Sequence, residues 1–379
     1  MTTAPKLGVY IHWPYCARIC PYCDFNVFKH RPGDAPAALA RAIVADLEAQ
    51  AQITGPRDLA SVFFGGGTPS LMDPAWVAEI LEAARRLWTP AADLEVSLEA
   101  NPTDAEADRF AALAAAGVNR LSLGLQSLDD DALSFLGRNH DAAAAIRAAR
   151  AARVFPRLSL DMIYARPGQA PAAWAEELGR ALDLGPEHLS PYQLTIEAGT
   201  AFDRAVRRGV FSPPDPDTGA ALFETTQAVL EAAGFEAYEV SNHARGAAAR
   251  SRHNLVYWQG LDYVGAGPGA HGRITATGAR QATLAAARPA DYIARVAESG
   301  MGFVSRETLS PREAAQERVL AGLRITEGVP LGELAALGLT EERLAPLVEL
   351  GLIAQDPERL RATPAGRLVL DRLTAELAG

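Results

Sequence analysis

The chain has 379 residues, of which 49% are hydrophobic and 22% are charged, so it is long enough for two or three packed domains and too apolar for a disordered protein. It carries 36 Lys plus Arg and 46 Asp plus Glu, a formal net charge of −10. This acidic balance opposes the basic surface that binds phosphate backbones, which argues against a nucleic-acid partner. Because no apolar run approaches the roughly 20 residues that span a bilayer, and no signal peptide is recognisable at the start, we expect a cytoplasmic protein without a membrane span.

Short β-rich runs alternate with helical stretches in the first half of the chain. The runs cover residues 7–12, 61–64, 94–99, 120–125, 158–164 and 188–195. After the first gap, each run starts roughly 30 residues after the previous one, which is the size of a βαβ unit. The pattern predicts an α/β fold in which a partial (β/α)6 barrel with parallel strands fills a first domain, residues 1–200.

The helices of this region have recognisable boundaries. Pro74 follows Asp73 and predicts a helix over residues 74–87, and Gly117 ends a predicted helix over residues 105–116.

The rest of the chain predicts two further domains. Residues 201–304 contain a helical stretch at 216–233, a β-rich piece at 235–240 and the Gly-rich segment VGAGPGAHG, which together indicate a mixed sheet extension or lid. Residues 305–379 predict three helices, a two-stranded wing at 352–367 and a final helix, an arrangement typical of a winged-helix-like domain. The acidic balance argues against its use on DNA.

All the cysteines of the chain lie in one short segment. Cys16, Cys20 and Cys23 form a CxxxCxxC motif just after the first predicted strand. An odd, clustered set of thiols cannot form a closed disulfide framework, so metal chemistry is the better expectation. Three thiolates on one loop can hold three corners of an iron–sulfur cubane and leave one iron open. The alternative is a zinc site completed by His12 or His30.

Several polar residues fall at the predicted carboxyl ends of the strands, where the chemistry of parallel α/β barrels is located. They are the GGGT segment at residues 65–68, Glu99, Gln126 and Asp161. The glycines would let the backbone approach a polar ligand, and Glu99 could accept a hydrogen bond from a ligand amine or ribose. Asp161 interrupts an apolar run, where an unpaired carboxylate is costly to bury, so we expect it to face a polar cavity. The alternatives are an ordinary turn for GGGT, a solvated strand-end carboxylate for Glu99 and a strand-capping amide for Gln126.

Six ordered motifs extend this pattern over about residues 7–200: YIHWPYCARICPYCDF, FFGGGTPS, SLEANP, GLQS, GRNH and LDMIYARPGQ. In them the chain resembles the radical S-adenosylmethionine superfamily, and most closely its coproporphyrinogen oxidase-like branch, near the heme chaperones of the HemW type. The resemblance implies a 4Fe–4S cluster on the three cysteines and S-adenosylmethionine on its open iron, cleaved by an electron from the cluster. It assigns cofactor binding to Tyr10, Tyr22, Gly66, Gly67, Thr68, Glu99, Gln126, Arg138 and Asp161.

Two features bear on the branch of this superfamily. The oxidase pattern has a further cysteine two positions after the third cluster ligand, where this chain has Phe25, so coproporphyrinogen oxidase activity is disfavoured. Residues 253–258 read HNLVYW, an HNxxYW segment that resembles a signature of the heme chaperones. An imidazole beside aromatic rings can bind heme iron, which makes His253 the predicted heme-binding residue. In the alternative, Tyr257 and Trp258 belong to the core and His253 is merely hydrogen-bonded there.

The resemblance therefore implies a heme chaperone that binds heme, a 4Fe–4S cluster and S-adenosylmethionine and transfers the heme to an acceptor protein. A respiratory-chain hemoprotein is a candidate acceptor, a reductant must serve the cluster, and the chain would be a monomer or a heme-linked dimer. Two alternatives stay open. One is an oxygen-independent coproporphyrinogen III oxidase or another radical enzyme acting on a tetrapyrrole, and the other is a structural zinc protein.

Overall fold

The computed structural model describes residues 4–104, 107–356 and 358–379. Strands and helices alternate through the first half of the chain. The strands are β1 (Lys6–Trp13), β2 (Tyr15–Cys16), β3 (Phe28–Lys29), β4 (Asp58–Gly66), β5 (Thr89–Ala100), β6 (Arg120–Gln126), β7 (Arg157–Tyr164) and β8 (His188–Gln193). The helices are α1 (Pro36–Thr54), α2 (Pro74–Leu87), α3 (Ala107–Ala115), α4 (Asp130–Phe135), α5 (Ala142–Ala151) and α6 (Pro171–Leu182).

The predicted parallel sheet is confirmed. Strands β1, β4, β5, β6, β7 and β8 lie side by side in this order, each parallel to the next. Helix α2 has the predicted limits. Its start is fixed because Pro74 occupies the first turn and the Asp73 carboxylate accepts the Ala75 N–H. Helix α3 is also present, although residues 105–106 of its predicted start lie outside the described residues.

The middle of the chain extends this sheet, as predicted, and the structure places the added strands at both edges. It contains α7 (Ala201–Arg207), α8 (Pro216–Ala232), β9 (Glu236–Glu239), β10 (Asn242–Ala244), α9 (Arg252–Trp258), β11 (Asp262–Ala266), β12 (His271–Ala276), β13 (Ala279–Ala285), α10 (Pro289–Ser299) and β14 (Phe303–Thr308). Strand β11 pairs in parallel with β1 and is followed by antiparallel β12, β13 and β14. At the other edge, β10 pairs antiparallel with β8 and carries β9. The barrel is therefore open, and β11 adds a parallel strand that the sequence did not predict.

The last part of the chain has the winged-helix-like form that the sequence predicts. It contains α11 (Pro311–Gly322), β15 (Val329–Pro330), α12 (Glu341–Glu349), β16 (Ile353–Gln355), β17 (Arg359–Ala362), α13 (Pro364–Leu368) and α14 (Leu370–Ala378). The middle predicted helix, at Leu331–Leu337, is a 3-10 helix. The end of the predicted wing, residues 352–367, instead forms most of the short helix α13, and the predicted final helix follows as α14. Leu323, Val329, Leu360 and Leu373 belong to a hydrophobic cluster separate from that of the barrel. None of the helices built from the described residues is long and apolar enough to cross a membrane.

The two faces of the barrel strands differ in polarity. Leu, Val and Phe side chains such as Val62, Phe64 and Leu121 are fully buried in the main hydrophobic cluster. The alternate positions, which face the barrel interior, carry small buried hydroxyl residues on five neighbouring strands: Ser61, Ser97, Ser122, Ser159 and Ser190. Small polar side chains do not fill a barrel, so the interior keeps room for a ligand.

Candidate functional site

A cavity of about 430 Å³ opens at the carboxyl ends of the barrel strands. The cysteine loop, the GGGT segment and the ends of β5 to β8 form its wall, which places residues from distant parts of the sequence around one space. Most of the predicted site residues line it: Cys16, Cys20, Tyr22, Cys23, Gly66, Gly67, Thr68, Glu99, Gln126, Arg138 and Asp161.

The cysteine loop is held in place by its own backbone. Cys16 lies on β2, which pairs with β3, and the Cys23 N–H donates to the Cys20 carbonyl at 3.2 Å. All three thiols are free. Burial raises the pKa of the Cys16 thiol, and it raises the pKa of Cys23 to about 11. These two thiols are therefore protonated at neutral pH in the metal-free chain, and metal binding must release their protons.

The donor set fits a three-cysteine cluster better than a zinc site. Both ring nitrogens of His12 are engaged, Nδ1 with the Tyr10 hydroxyl at 2.9 Å and Nε2 with the Asn26 carbonyl at 2.8 Å. His30 is exposed and packs edge-on against Tyr15. Within the described ranges, no group of three or more His, Cys, Asp and Glu side chains is arranged to hold a metal ion. In an iron–sulfur cubane each thiolate binds a different iron, so the three cysteines need not converge on a single ion.

The GGGT segment has a packing role that the sequence did not indicate. The Gly66 N–H donates to the Glu99 carboxylate at 3.1 Å, and the N–H groups of Gly67 and Thr68 donate to carbonyls at residues 13 and 15. A Cβ on Gly67 would lie 2.8 Å from backbone atoms of the same stretch. The missing side chain thus makes room for the cysteine loop, and these amide donors are already used. Cofactor binding by Gly66, Gly67 and Thr68 stays a prediction.

Glu99 on β5 and Asp161 on β7 face the cavity from the two strands that flank β6. Asp161 accepts a hydrogen bond from the Ser122 hydroxyl at 2.9 Å and lines the polar cavity, as expected. Burial, together with the nearby charge of Asp161, raises the pKa of Glu99 to about 7. Burial also raises the pKa of Asp161, although hydrogen bonds from serine hydroxyls oppose it. Such a pair favours a cationic or hydrogen-bond-donating ligand.

Arg138 connects the cavity wall to the cysteine loop. Its guanidinium donates to Cys20 Sγ at 3.3 Å, to the Tyr22 hydroxyl at 3.5 Å and to the Asn101 side-chain oxygen. Asn101 in turn donates to Thr68 Oγ1 at 3.0 Å. Sequence reasoning missed Asn101, although it lies two residues after Glu99 in SLEANP and could have been singled out there.

Gln126 ends β6 in a strained backbone conformation. Its φ is +65°, in the left-handed region that non-glycine residues rarely adopt. This conformation costs about 1–2 kcal/mol and is common where a side chain must be aimed at a ligand. The strain fits the cofactor role of Gln126, which stays a prediction.

The remaining two predicted residues, Tyr10 and His253, lie behind the cavity wall. The Tyr10 hydroxyl bonds His12, and its ring stacks on His253 with centroids 6.3 Å apart. His253 is 1% exposed, and its nitrogens bond Ser61 Oγ at 2.8 Å and the Tyr257 hydroxyl at 2.6 Å. Burial lowers the pKa of His253 to about 3, so the ring is neutral. Heme ligation by His253 stays a prediction, and it requires one of these hydrogen bonds to break.

The HNxxYW segment forms helix α9, and Asn254 is its residue on the cavity lining. Asn254 Nδ2 donates to Asn242 at 3.4 Å. No pattern in the sequence favours Asn254 over His253 as the residue that lines the cavity.

Two family models match the chain. The radical SAM superfamily model matches residues 10–179, and the HemN C-terminal domain model matches residues 309–369. The first match contains the cysteine loop, the GGGT segment and the ends of β5, β6 and β7, which line the cavity. The second falls within the winged-helix-like part.

Similar proteins cover nearly the whole chain. The mitochondrial radical S-adenosyl methionine domain-containing protein 1 of Bos taurus is 42% identical over 98% of this chain and 87% of its own length. The heme chaperone HemW of Mycobacterium tuberculosis is 38% identical over 98% of this chain and 95% of its own length. The solved structure of the Escherichia coli radical SAM enzyme coproporphyrinogen III oxidase (HemN) has a TM-score of 0.82 over 99% of this chain and 90% of that chain, at 22% identity, and so shares the fold. The chain therefore belongs to the radical S-adenosylmethionine superfamily, in the family that includes HemW.

Proposed function

We propose that this chain is a heme chaperone, which binds heme, a 4Fe–4S cluster and S-adenosylmethionine and transfers the heme to an acceptor protein. The observation that carries the proposal is the similarity, over 98% of this chain, to a protein named heme chaperone HemW. The cavity supports the cofactor part, since it gathers three free thiols and the strand carboxyl groups of Glu99 and Asp161 around one space.

The cluster is held by Cys16, Cys20 and Cys23. When bound, the cluster with S-adenosylmethionine supplies the electron that can break a carbon–sulfur bond. We infer that the Glu99 carboxylate accepts a hydrogen bond from the ligand amine, and that Arg138 fixes Cys20 and Tyr22 through its guanidinium. The other proposed cofactor residues are Tyr10, Gly66, Gly67, Thr68, Gln126 and Asp161, with His253 proposed for heme.

The partners follow from the same function. A chaperone of this kind needs heme, an acceptor protein and a reductant for the cluster. We propose a respiratory-chain hemoprotein as the acceptor, and a monomer or a heme-linked dimer as the oligomeric state. The cytoplasm is the proposed location, although the bovine relative is mitochondrial by name. We also propose the domain limits 1–200, 201–304 and 305–379.

Anaerobic reconstitution with iron and sulfide, followed by titration with hemin, tests the proposal. We expect about four iron and four sulfide per chain, a saturable heme spectrum, and transfer of the bound heme to an apo-hemoprotein faster than from serum albumin. The variant C16A should lose the cluster. A chain that acquires no sulfide, or that shows no saturable heme binding, contradicts the proposal.

The heme site has its own test. H253A should change the heme spectrum or weaken heme binding, whereas H30A, which removes an exposed histidine, should change neither. A heme spectrum that is the same in H253A and in the unmodified chain would remove His253 from the heme site and leave the chaperone proposal standing.

A further inference from the structure

Arg120 is a buried cation at the floor of the cavity. It is the first residue of β6, is 2% exposed, and lines the same cavity as the cysteines. Its Nε is buried without a hydrogen-bond partner among the described residues. A buried guanidinium normally has several partners, because burying an unpaired charge is costly.

Glu95 and Asp161, the carboxyl groups on which Arg120 acts electrostatically, already have other partners. The Glu95 carboxylate forms an ion pair with Arg157 at 2.6 Å and accepts the N–H groups of Arg252 and His253. Asp161 accepts hydrogen bonds from serine hydroxyls. Arg120 acts on both carboxyl groups only through space, and it takes part in none of the ion pairs found within residues 4–104, 107–356 and 358–379. Its N–H donors are therefore available to a ligand.

The surroundings of Arg120 fit a carboxylate. Ser122, Ser190 and Asn254 line the same cavity and offer small hydrogen-bonding groups to its occupant. A planar guanidinium binds a carboxylate with two parallel hydrogen bonds. A dianionic phosphate fits less well, because Asp161 lines the same cavity and would repel it.

We propose that Arg120 anchors an anionic subsite at the floor of the cavity and binds a carboxylate of the ligand. This inference rests on the proposed function, whose two organic ligands both carry carboxylates. One is the methionine end of S-adenosylmethionine, and the other is a propionate of heme. Neither contains a phosphate.

Paired ligands with and without the carboxylate test the subsite on the cluster-reconstituted, anaerobic protein. The pairs are S-adenosylmethionine with its decarboxylated form, and hemin with hemin dimethyl ester. In the unmodified chain, one carboxylate-bearing ligand should bind about 10- to 100-fold more tightly than its partner, as a charged hydrogen bond predicts. In R120M this preference should vanish, and in R120K it should return in part. R180M removes an exposed arginine on α6 and should keep the preference.

The outcomes separate the subsite from the function. If R120M loses the preference for S-adenosylmethionine over its decarboxylated form, the subsite binds S-adenosylmethionine. If R120M loses the preference for hemin over its dimethyl ester, the subsite binds heme. If the unmodified chain binds the ligands with no preference in either pair, or if R120M keeps the preference, the subsite is overturned and the chaperone function stands. If the unmodified chain binds none of the four ligands, both proposals are wrong. The circular dichroism spectrum and thermal unfolding of R120M show whether it is folded.

Discussion

Glu99 shows how a single residue can acquire a function from its surroundings. Burial of its carboxyl group, together with the nearby charge of Asp161, raises the pKa of Glu99 to about 7, while the Gly66 N–H opposes the rise. The group consequently titrates in the physiological range, unlike an ordinary glutamate near 4.3. A ligand amine that donates to Glu99 should favour the ionised form.

We expect the affinity for S-adenosylmethionine to depend on pH through Glu99. The affinity should rise as the pH increases through about 7, because the carboxylate that accepts from the amine becomes populated. In E99Q the pH profile between 6 and 8 should be flat, with weaker binding at pH 8. Anaerobic calorimetric titration at several pH values measures this, and an unchanged profile in E99Q would contradict the role of Glu99.

Asn101 connects two parts of the cavity wall, because its side chain bonds both Arg138 and Thr68. N101A should destabilise the fold by about 1–3 kcal/mol, since the Arg138 guanidinium and the Thr68 hydroxyl each lose a buried partner. It should also loosen Cys20 and speed the loss of iron to a chelator. N101D keeps an acceptor for Arg138 and should retain the cluster better than N101A. Urea unfolding and chelation rates measure both effects, and equal rates in the two variants would argue against the link.

At the scale of elements, a buried carboxylate fixes the short helix α9. Glu95 accepts N–H groups from the first two residues of α9, at 3.1 and 3.0 Å, and its side chain is 0% exposed in the ion pair with Arg157. Burial alone would raise the pKa of Glu95, but the positive charges of Arg120 and Arg157 and these N–H groups hold it below its usual value.

E95Q should therefore destabilise the protein by about 3 kcal/mol at pH 7. A lowered carboxyl pKa gives stability that is present above the unfolded pKa and is lost as the pH falls through the folded one. The difference from the unmodified chain should accordingly shrink below about pH 4. E48Q breaks an exposed ion pair with Arg86 and should cost less than about 1 kcal/mol. Urea unfolding measures the loss of stability in both variants. Equal losses in E95Q and E48Q would show that Glu95 does not hold α9.

Asp46 on α1 connects the barrel to the sheet extension. It accepts the Tyr292 hydroxyl of α10 at 2.6 Å and the Gly302 N–H at 3.2 Å. Burial raises the pKa of Asp46 to about 6, although these hydrogen bonds oppose the rise. A raised carboxyl pKa means that the folded state binds the proton more tightly, so stability falls as the pH rises from about 4 to about 6.

D46N mimics the protonated form and should be more stable than the unmodified chain at pH 8, by about 2–3 kcal/mol. The advantage should disappear below about pH 4, where the unmodified Asp46 is itself protonated. D183N changes an exposed aspartate at the end of α6 and should have no such pH dependence. Thermal unfolding at pH 4, 6 and 8 tests this, and a D46N variant less stable at pH 8 would refute the expectation.

At the scale of the whole molecule, two hydrophobic clusters are joined by charged contacts. The barrel and the winged-helix-like part each have their own cluster. Arg324 forms an ion pair with Glu239 at 2.6 Å, and its guanidinium lies 4.8 Å from the centre of the Trp258 ring. The Glu239 side chain is 0% exposed, so this ion pair joins a buried carboxylate to a cation from the other part of the chain.

R324M should destabilise the protein by about 3 kcal/mol, because it leaves a buried carboxylate without its cation. The double variant R324M/E239Q should recover part of this loss. Scanning calorimetry measures whether the barrel and the winged-helix-like part unfold together. We expect R324M to unfold in two separate transitions. Additive effects of the two changes would contradict a direct coupling between the parts.

Much of the fold could be predicted because local patterns express it. The six barrel strands and α2 were recognisable from β-rich runs and from Asp73-Pro74. Strand β11 was missed, since its five residues, DYVGA, run into a Gly-rich segment and have no strong strand pattern. The 3-10 geometry of residues 331–337 was also missed, because helical spacing does not distinguish it from an α-helix.

The sequence alone determined the chemistry that is available: three clustered thiols, polar residues at strand ends, and the motifs of the superfamily. Only the tertiary structure decided which of these groups share a space. It placed Asn101, Arg120 and Asn254 at the cavity or its wall and His253 behind it with both nitrogens bonded. The physical reason is that spacing along a chain records which side of a strand or helix a residue occupies, whereas burial, hydrogen-bond partners and unpaired charges depend on elements far away in the sequence.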